Sequence, residues 1–263
     1  MAKMGLSLSQ ITFSLTILAT TYLIRYTSQD PNPPQPEQQK ATSREKSPAP
    51  PANDHESEKS GTCHATTDSL MSAYFYLTPA RHISLITLIG IAHAIFPLIP
   101  DSQRHKLCPN YSTDNEGLSP TVFTWNTYTI STLLFLWSFL LLRIAAYRSL
   151  GSSFTFSITK PMSGLKTTGL YRFIRHPSYT GLFGITIGIV MLFLRAGGLM
   201  GCFVSQDVVG MLVEGLFWVW AVLIVPWVFW VRVKEEEAFL AGEFGEQWTK
   251  YVKRTWMFVP GVL

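Results

Sequence analysis

Charge is scarce in this chain. Lys, Arg, Asp and Glu make up 14% of its 263 residues, where soluble domains carry about 25%. A surface that faces water on all sides is poorly served by that balance, which points instead to a membrane protein. Cysteine is scarcer still. Cys63, Cys108 and Cys202 match no zinc spacing and form no disulfide framework. A net charge of +4 is small and excludes little by itself. Hydrophobic residues reach 47% and aromatics 13%, with eight tryptophans. Trp and Tyr suit the two membrane interfaces, where one side of the ring is wet and the other dry.

The apolar residues come in runs. Residues 4–24 are long enough to cross a bilayer. No small-residue cleavage site follows them, and Arg25 and Tyr26 close the run as interface anchors do, so it reads as a retained anchor rather than a cleaved signal. Further spans are expected from about Ile83 to Ile99, over 120–146, over 178–194, and from Val208 to Val231, with a short interfacial helix near 69–78. The expected fold is an all-α integral membrane protein of about five transmembrane helices, with a C-terminal helical hairpin and a cytosolic helical tail. Four regions follow: an anchor (1–26), a linker (27–65), transmembrane helices (66–149) and a core (150–263).

Residues 27–62 are a different material. They hold seven prolines, and their only apolar residues are three alanines. Such a stretch cannot bury enough apolar surface to offset ordering entropy, and is expected to be a disordered linker.

Orientation follows from Lys and Arg. Arg148, Lys160, Lys166, Arg172 and Arg175 lie between spans three and four. Arg232, Lys234, Lys250, Lys253 and Arg254 follow span five, and Arg195 alone separates spans four and five. The first two groups read as cytosolic and the 195–207 hairpin as lumenal. Residues 100–119 are then lumenal, with Asn110-Tyr111-Ser112 as a glycosylation sequon. Cys108 and Cys202 share that side, which leaves a bridge conceivable; they are read as two unrelated thiols.

The chemistry gathers where two cytosolic basic segments flank spans four and five. "GLYRFIRHPSYTG" (169–181) offers Tyr171, Arg172, Arg175, His176 and Tyr179. "RVKEEEAFLAGEFGEQWTKYVKR" (232–254) offers Arg232 and Glu236, four apart and hence on one helical face. A guanidinium at the membrane boundary can grip a carboxylate through two parallel hydrogen bonds. Glu236, one turn further out, can accept from an ammonium or hydroxyl of a polar cofactor. A plain surface ion pair accounts for the same spacing. Pro177 suits a first helical turn, and Arg172 and Arg175 can be simple anchors beside lipid phosphates. His93, within span two, reads as an interhelical hydrogen-bonding residue, and an intramembrane titratable group also flags function. Gly184 and Gly188 form a GxxxG that would admit a close neighbour.

Taken together, "TTGLYRFIRHPSYTG", the apolar hairpin, "RVKEEEAFLAGEFGEQWTKYVKR" and the terminal "VPGV" resemble the C-terminal half of the isoprenylcysteine carboxyl methyltransferases, over roughly residues 150–263. The resemblance implies a membrane enzyme, typically of the endoplasmic reticulum, whose active site faces the cytosol. It would move a methyl group from S-adenosylmethionine to the C-terminal carboxylate of a prenylated cysteine. Its partners would be prenylated protein C-termini such as those of small GTPases and lipopeptide pheromones, together with membrane lipid, with no metal and no nucleic acid. Carried over by position, Tyr171, His176, Pro177, Ser178 and Tyr179 would line the S-adenosylmethionine pocket, Glu236 would also touch that cofactor, and Arg232 would hold the substrate carboxylate.

The chain departs from the family in its Pro-rich insert and in a shortened stretch between Gly151 and Gly169. That stretch has Ser163 where a histidine is expected, which leaves Lys166 as the upstream cofactor candidate. Phospholipid N-methylation, a membrane sterol reductase and a non-catalytic membrane anchor are the competing readings. A neutral amine acceptor would not need Arg232 as a carboxylate clamp.

Overall fold

A computed structural model describes residues 7–32, 79–108, 120–154, 164–195, 197–204 and 208–261. Nearly all of the Pro-rich linker, the helix expected near 69–78, Ser163 and the Asn110 sequon lie outside them. The helices are α1 (Leu8–Thr27), α2 (Pro79–Ile95), α3 (Asp101–Leu107), α4 (Thr127–Leu150), α5 (Pro177–Phe193), α6 (Val208–Val219), α7 (Val225–Phe244) and α8 (Glu246–Val252). Among the described residues, β pairing is limited to one isolated parallel bridge between Ile174 and Trp256. The all-helical expectation therefore holds for them.

Local chemistry sets the ends. Ser7 and Gln10 close α1 with reciprocal side-chain-to-backbone hydrogen bonds. α4 starts at Thr127 rather than at Pro120, because residues 120–123 form a 3-10 turn and Asn126 caps the helix by accepting from the Thr129 N–H at 3.0 Å. α6 and α7 form one shaft joined by a π-helical turn at Trp220–Ile224. Pro226 has no N–H to give, and its ring would crowd the carbonyl four residues back; a widened turn absorbs both problems.

The helices run alternately up and down. Gln10 Nε2 donates to Pro97 O at 3.0 Å, tying the start of α1 to the end of α2. Tyr128 Oη donates to Met191 O at 2.7 Å, tying the start of α4 to the end of α5. At the other end Arg143 Nε donates to Thr27 O at 2.8 Å, joining α4 to α1. The core between these ends is built from Phe13, Ile17, Leu136, Leu140, Ile185 and Phe193. His93 is fully buried within it. Its ring lies 4.7 Å from Phe123 and 5.5 Å from Phe193, and its Nε2 is 3.2 Å from Val122 O. This is the structural hydrogen bond expected of it.

Glycine sets the α4–α5 distance. A Cβ at Gly188 would come within 2.7 Å of Leu136 Cδ1, one at Gly181 within 2.9 Å of Arg143 Cβ, and one at Gly184 would enter the ring of Phe139. The GxxxG is therefore a packing surface. The outward faces are apolar: Leu85 and Leu88 on α2, Leu134 and Leu141 on α4, and Leu212, Leu216, Leu223 and Trp227 on the α6–α7 shaft are all exposed. Contiguous faces of this kind suit lipid rather than water. Thr127–Ser153 and Val208–Phe244 are long and apolar enough to cross a membrane; His82–Leu98 and Pro177–Phe193 are apolar but shorter. α1 is diluted by Thr12, Thr16, Thr20 and Thr21, whose hydroxyls bond back to carbonyls of their own helix.

One expectation is corrected. Cys108 and Cys202 are not unrelated thiols; they form a disulfide across 94 residues. The bond pins the end of α3 to the turn before α6, and its sulfurs lie in a small cluster with Phe96 and Phe123. Two predictions follow from this packing. A polymer-linked maleimide should add one label per denatured chain before reduction and three after it, given three cysteines of which two are joined. Gly184→Leu should overpack the α4–α5 seam and lower stability by about 1–3 kcal/mol, whereas Gly215→Leu, which meets nothing within 4 Å, should melt with the parent in a fluorescence thermal shift.

Candidate active site

The residues singled out in the sequence collect at the end of the bundle opposite the disulfide. The chain reaches that end through the 3-10 turn Gly169–Arg172. Tyr171 points inward from it, and the Tyr251 hydroxyl donates to Tyr171 O at 2.7 Å. Burial, with the charge of Glu236 added, pushes the Tyr171 hydroxyl well above the usual tyrosine range, so it stays neutral. Burial likewise raises Tyr251 to about 12. Pro177 then opens α5 at its first position, with His176 as the preceding cap at φ −124°.

Two segments far apart in sequence meet here. Arg175 Nε donates to Glu237 Oε1 at 2.8 Å, and the same carboxylate lies 3.2 Å from His176 Nε2. An ionised carboxylate only accepts, so His176 presents its Nε2 proton to it. Arg175 also donates to the carbonyls of Val252 and Thr255. The C-terminal tail lies along the same strand-like stretch: Trp256 N donates to Phe173 O at 2.9 Å, Arg175 N to Trp256 O at 2.8 Å and His176 N to Met257 O at 3.0 Å. Burial alone would raise the Glu237 pKa, but the hydrogen bonds from His176 and Arg175 outweigh it and hold the group down to about 2.

The second centre lies one turn along α5. Tyr179 is within side-chain hydrogen-bonding reach of both Arg232 and Glu236. Its ring meets Phe229 edge-on at 5.7 Å and His176 at 5.8 Å. Arg232 is buried, with Glu235 Oε2 at 3.6 Å. Arg232 and Glu236 were placed on one face from their spacing; here the direct ionic neighbour of Arg232 is Glu235, and Glu236 joins through Tyr179. Glu235 Oε2 is itself buried without a hydrogen-bond partner. On the membrane side lies an apolar cleft of about 120 Å³ lined by Leu182, Thr186, Trp220, Val225, Val228 and Phe229.

Ser178 is turned the other way. Its hydroxyl and carbonyl both accept from Arg143 Nη1 at 3.1 Å. Arg143 is buried on α4, with its guanidinium 4.9 Å from the Tyr147 ring. Arg143 and Glu237 are members of this cluster that the sequence reading does not name, and Arg175, read there as an anchor beside lipid phosphates, binds Glu237 instead. Arg143 carried a readable signal, a cation inside a long apolar run. Glu237 did not, because spacing from Arg232 points to its neighbours Glu235 and Glu236, while its own partners come from residues 175 and 176. Lys166 lies in the extended stretch before Gly169, and no described contact brings it to this cluster.

Against known proteins, residues 129–214 match a family model. The family is that of the isoprenylcysteine carboxyl methyltransferases (ICMT). The ICMT match bears out the resemblance and takes in Arg143, Tyr171, His176 and Tyr179; Arg232 and Glu235–Glu237 lie beyond it. The chain is 30% identical over 142 residues to the protein-S-isoprenylcysteine O-methyltransferase of Schizosaccharomyces pombe, covering 52% of each. It is 26% identical over 126 residues to the enzyme of that name from Dictyostelium discoideum, covering 46% of this chain and 45% of that one. The chain thus spans about half the length of these curated relatives. A solved structure of "the eukaryotic intramembrane Ras methyltransferase ICMT" aligns at TM-score 0.40 and 19% identity, over 74% of this chain and 67% of that one.

The depressed Glu237 pKa carries a pH prediction. A carboxyl group held below its unfolded value contributes stability that is fully present above about pH 4.5 and is lost as pH falls toward about 2. The melting temperature of the parent should fall more steeply through that window than that of Glu237→Gln, and the two curves should run parallel above it.

Proposed function

We propose that this chain methylates the C-terminal carboxylate of a prenylated cysteine, with S-adenosylmethionine as the methyl donor. The observation that carries this reading is the meeting of a buried guanidinium, Arg232, with Tyr179, Glu235 and Glu236, next to the apolar cleft that Phe229, in ring contact with Tyr179, helps to line. A carboxylate on a lipid tail asks for those two things: a cation at the membrane boundary and an apolar slot beside it.

The donor set fits the proposed cofactor. S-adenosylmethionine carries an ammonium, a sulfonium and an aromatic base. Glu235, whose buried Oε2 takes no hydrogen bond although Arg232 lies 3.6 Å away, and Glu236 suit the ammonium, and the faces of Tyr171 and Tyr179 suit cationic or aromatic groups. His176 and Pro177 would fix the wall from which Tyr179 projects. Ser178 would act from behind through Arg143, and Lys166 is the upstream candidate where the chain departs from the family's pattern. When bound, the cofactor would supply an electrophilic methyl group.

The remaining work falls to the chain. Arg232 would hold the acceptor carboxylate, which is already ionised at neutral pH and needs no general base. Orientation and partial desolvation of that carboxylate would supply most of the rate. The cleft lined by Leu182, Val228 and Phe229 would take the first part of the isoprenyl chain, entering sideways from lipid. We place about five spans in the endoplasmic reticulum membrane, with residues 150–263 as the methyltransferase core and this end in the cytosol. In support, Arg148, Lys166, Arg172, Lys253 and Arg254 gather at the site end, and the disulfide at the other end suits an oxidising lumen. Prenylated protein C-termini, including those of small GTPases and lipopeptide pheromones, are the proposed partners.

Membranes containing the chain should transfer labelled methyl from S-adenosylmethionine to acetyl-farnesyl-cysteine and not to phosphatidylethanolamine. Arg232→Ala should lower that transfer about a hundredfold while labelled S-adenosylmethionine still binds. Full activity in the variant, or preference for the amine, would overturn the reading.

A further inference from the structure

The tail after α8 does not leave the bundle; it returns to the membrane edge. Thr180, one turn into α5, donates from its hydroxyl to Phe258 O at 2.8 Å. The Phe258 ring lies 6.4 Å from Trp230, near the end of the apolar part of the α6–α7 shaft. Residues 255–259 thus lie at the level where two apolar helices reach the interface. The loop 172–174 lies beside them through the Ile174–Trp256 bridge.

The outer side of this ledge has a composition that water alone does not explain. Phe173 is 59% exposed, Trp256 47% and Val259 45%. Arg172, Lys253 and Arg254 are exposed around them. Arg172 rests over the Phe173 ring at 5.9 Å. Among the described residues, no carboxylate forms an ion pair with any of these three cations. Large apolar side chains ringed by unneutralised cations, at the height of the interface, match a leaflet that offers acyl chains below and anionic phosphates above.

We propose that residues 172–173 and 253–259 form a docking ledge for anionic phospholipid headgroups. Phe173, Trp256 and Val259 enter the acyl boundary, and Arg172, Lys253 and Arg254 meet the phosphates. The ledge is wired to the candidate site. The carbonyls of Thr255 and Trp256 and that of Met257 accept from Arg175 and His176 respectively, and those same two residues hold Glu237. Seating the ledge on lipid therefore fixes the backbone that positions the Glu237 carboxylate. This function is separate from methyl transfer and does not depend on it.

The test places an environment-sensitive fluorophore on Val259→Cys in a Cys63→Ser background, with the disulfide left intact, in nanodiscs of phosphatidylcholine with or without phosphatidylserine. The probe should be quenched by lipids labelled near the headgroup, about twofold more strongly when phosphatidylserine is present. Arg172→Gln with Arg254→Gln should erase that difference while the melting temperature holds. Quenching by aqueous iodide rather than by lipid, or equal quenching in the two lipid mixtures, overturns the proposal.

Discussion

A carboxylate that is almost shielded from water must be met by hydrogen-bond donors, or its burial costs more than the fold can bear. Glu237 is in that position, with its side chain 14% exposed, and its donors come from Arg175 and His176, 62 and 61 residues earlier in the chain. That demand closes the loop between α5 and α7. It also explains why Arg175 spends its remaining donors on the carbonyls of Val252 and Thr255. Loop, shaft and tail are gathered at a single ion, and the spacing of Tyr179, Arg232 and Glu236 one turn away is inherited from it.

A second buried cation braces the structure from behind. Arg143 takes one carbonyl from the end of α1 and one from the start of α5, so the N-terminal helix supports the scaffold of the site despite the long linker that follows it. The Tyr147 hydroxyl donates to the same Thr27 carbonyl. A guanidinium suits this post because its fixed fork of donors can serve several acceptors at once. Without α1, part of that fork would be buried with nothing to bind.

Much of the architecture was legible because lipid-facing helices leave long apolar runs in the sequence, and because Pro177 and the cations around it mark where a run begins. α5 was placed within a residue of its observed start. α4 was not: Asn126, a capping residue inside an apolar run, stops the helix from beginning at Pro120. The meeting of the 169–179 and 230–240 segments could be inferred from hairpin geometry alone. The choice among Glu235, Glu236 and Glu237 could not, since neighbouring residues on one helix differ only in the direction they face, and direction depends on partners that no local pattern names. The Cys108–Cys202 bond was half legible: the Lys and Arg pattern put both thiols on one side, but their pairing depends on two turns coming together in space.

The wide turn at Trp220–Ile224 bears on all of this. Each residue in a helix advances the next side chain by about 100° around the axis. One residue more or less within that turn swings everything beyond it, Arg232 and the glutamates included, to another side of the shaft. The upper half of the shaft can therefore be re-aimed by a single insertion or deletion while the apolar length below stays nearly the same.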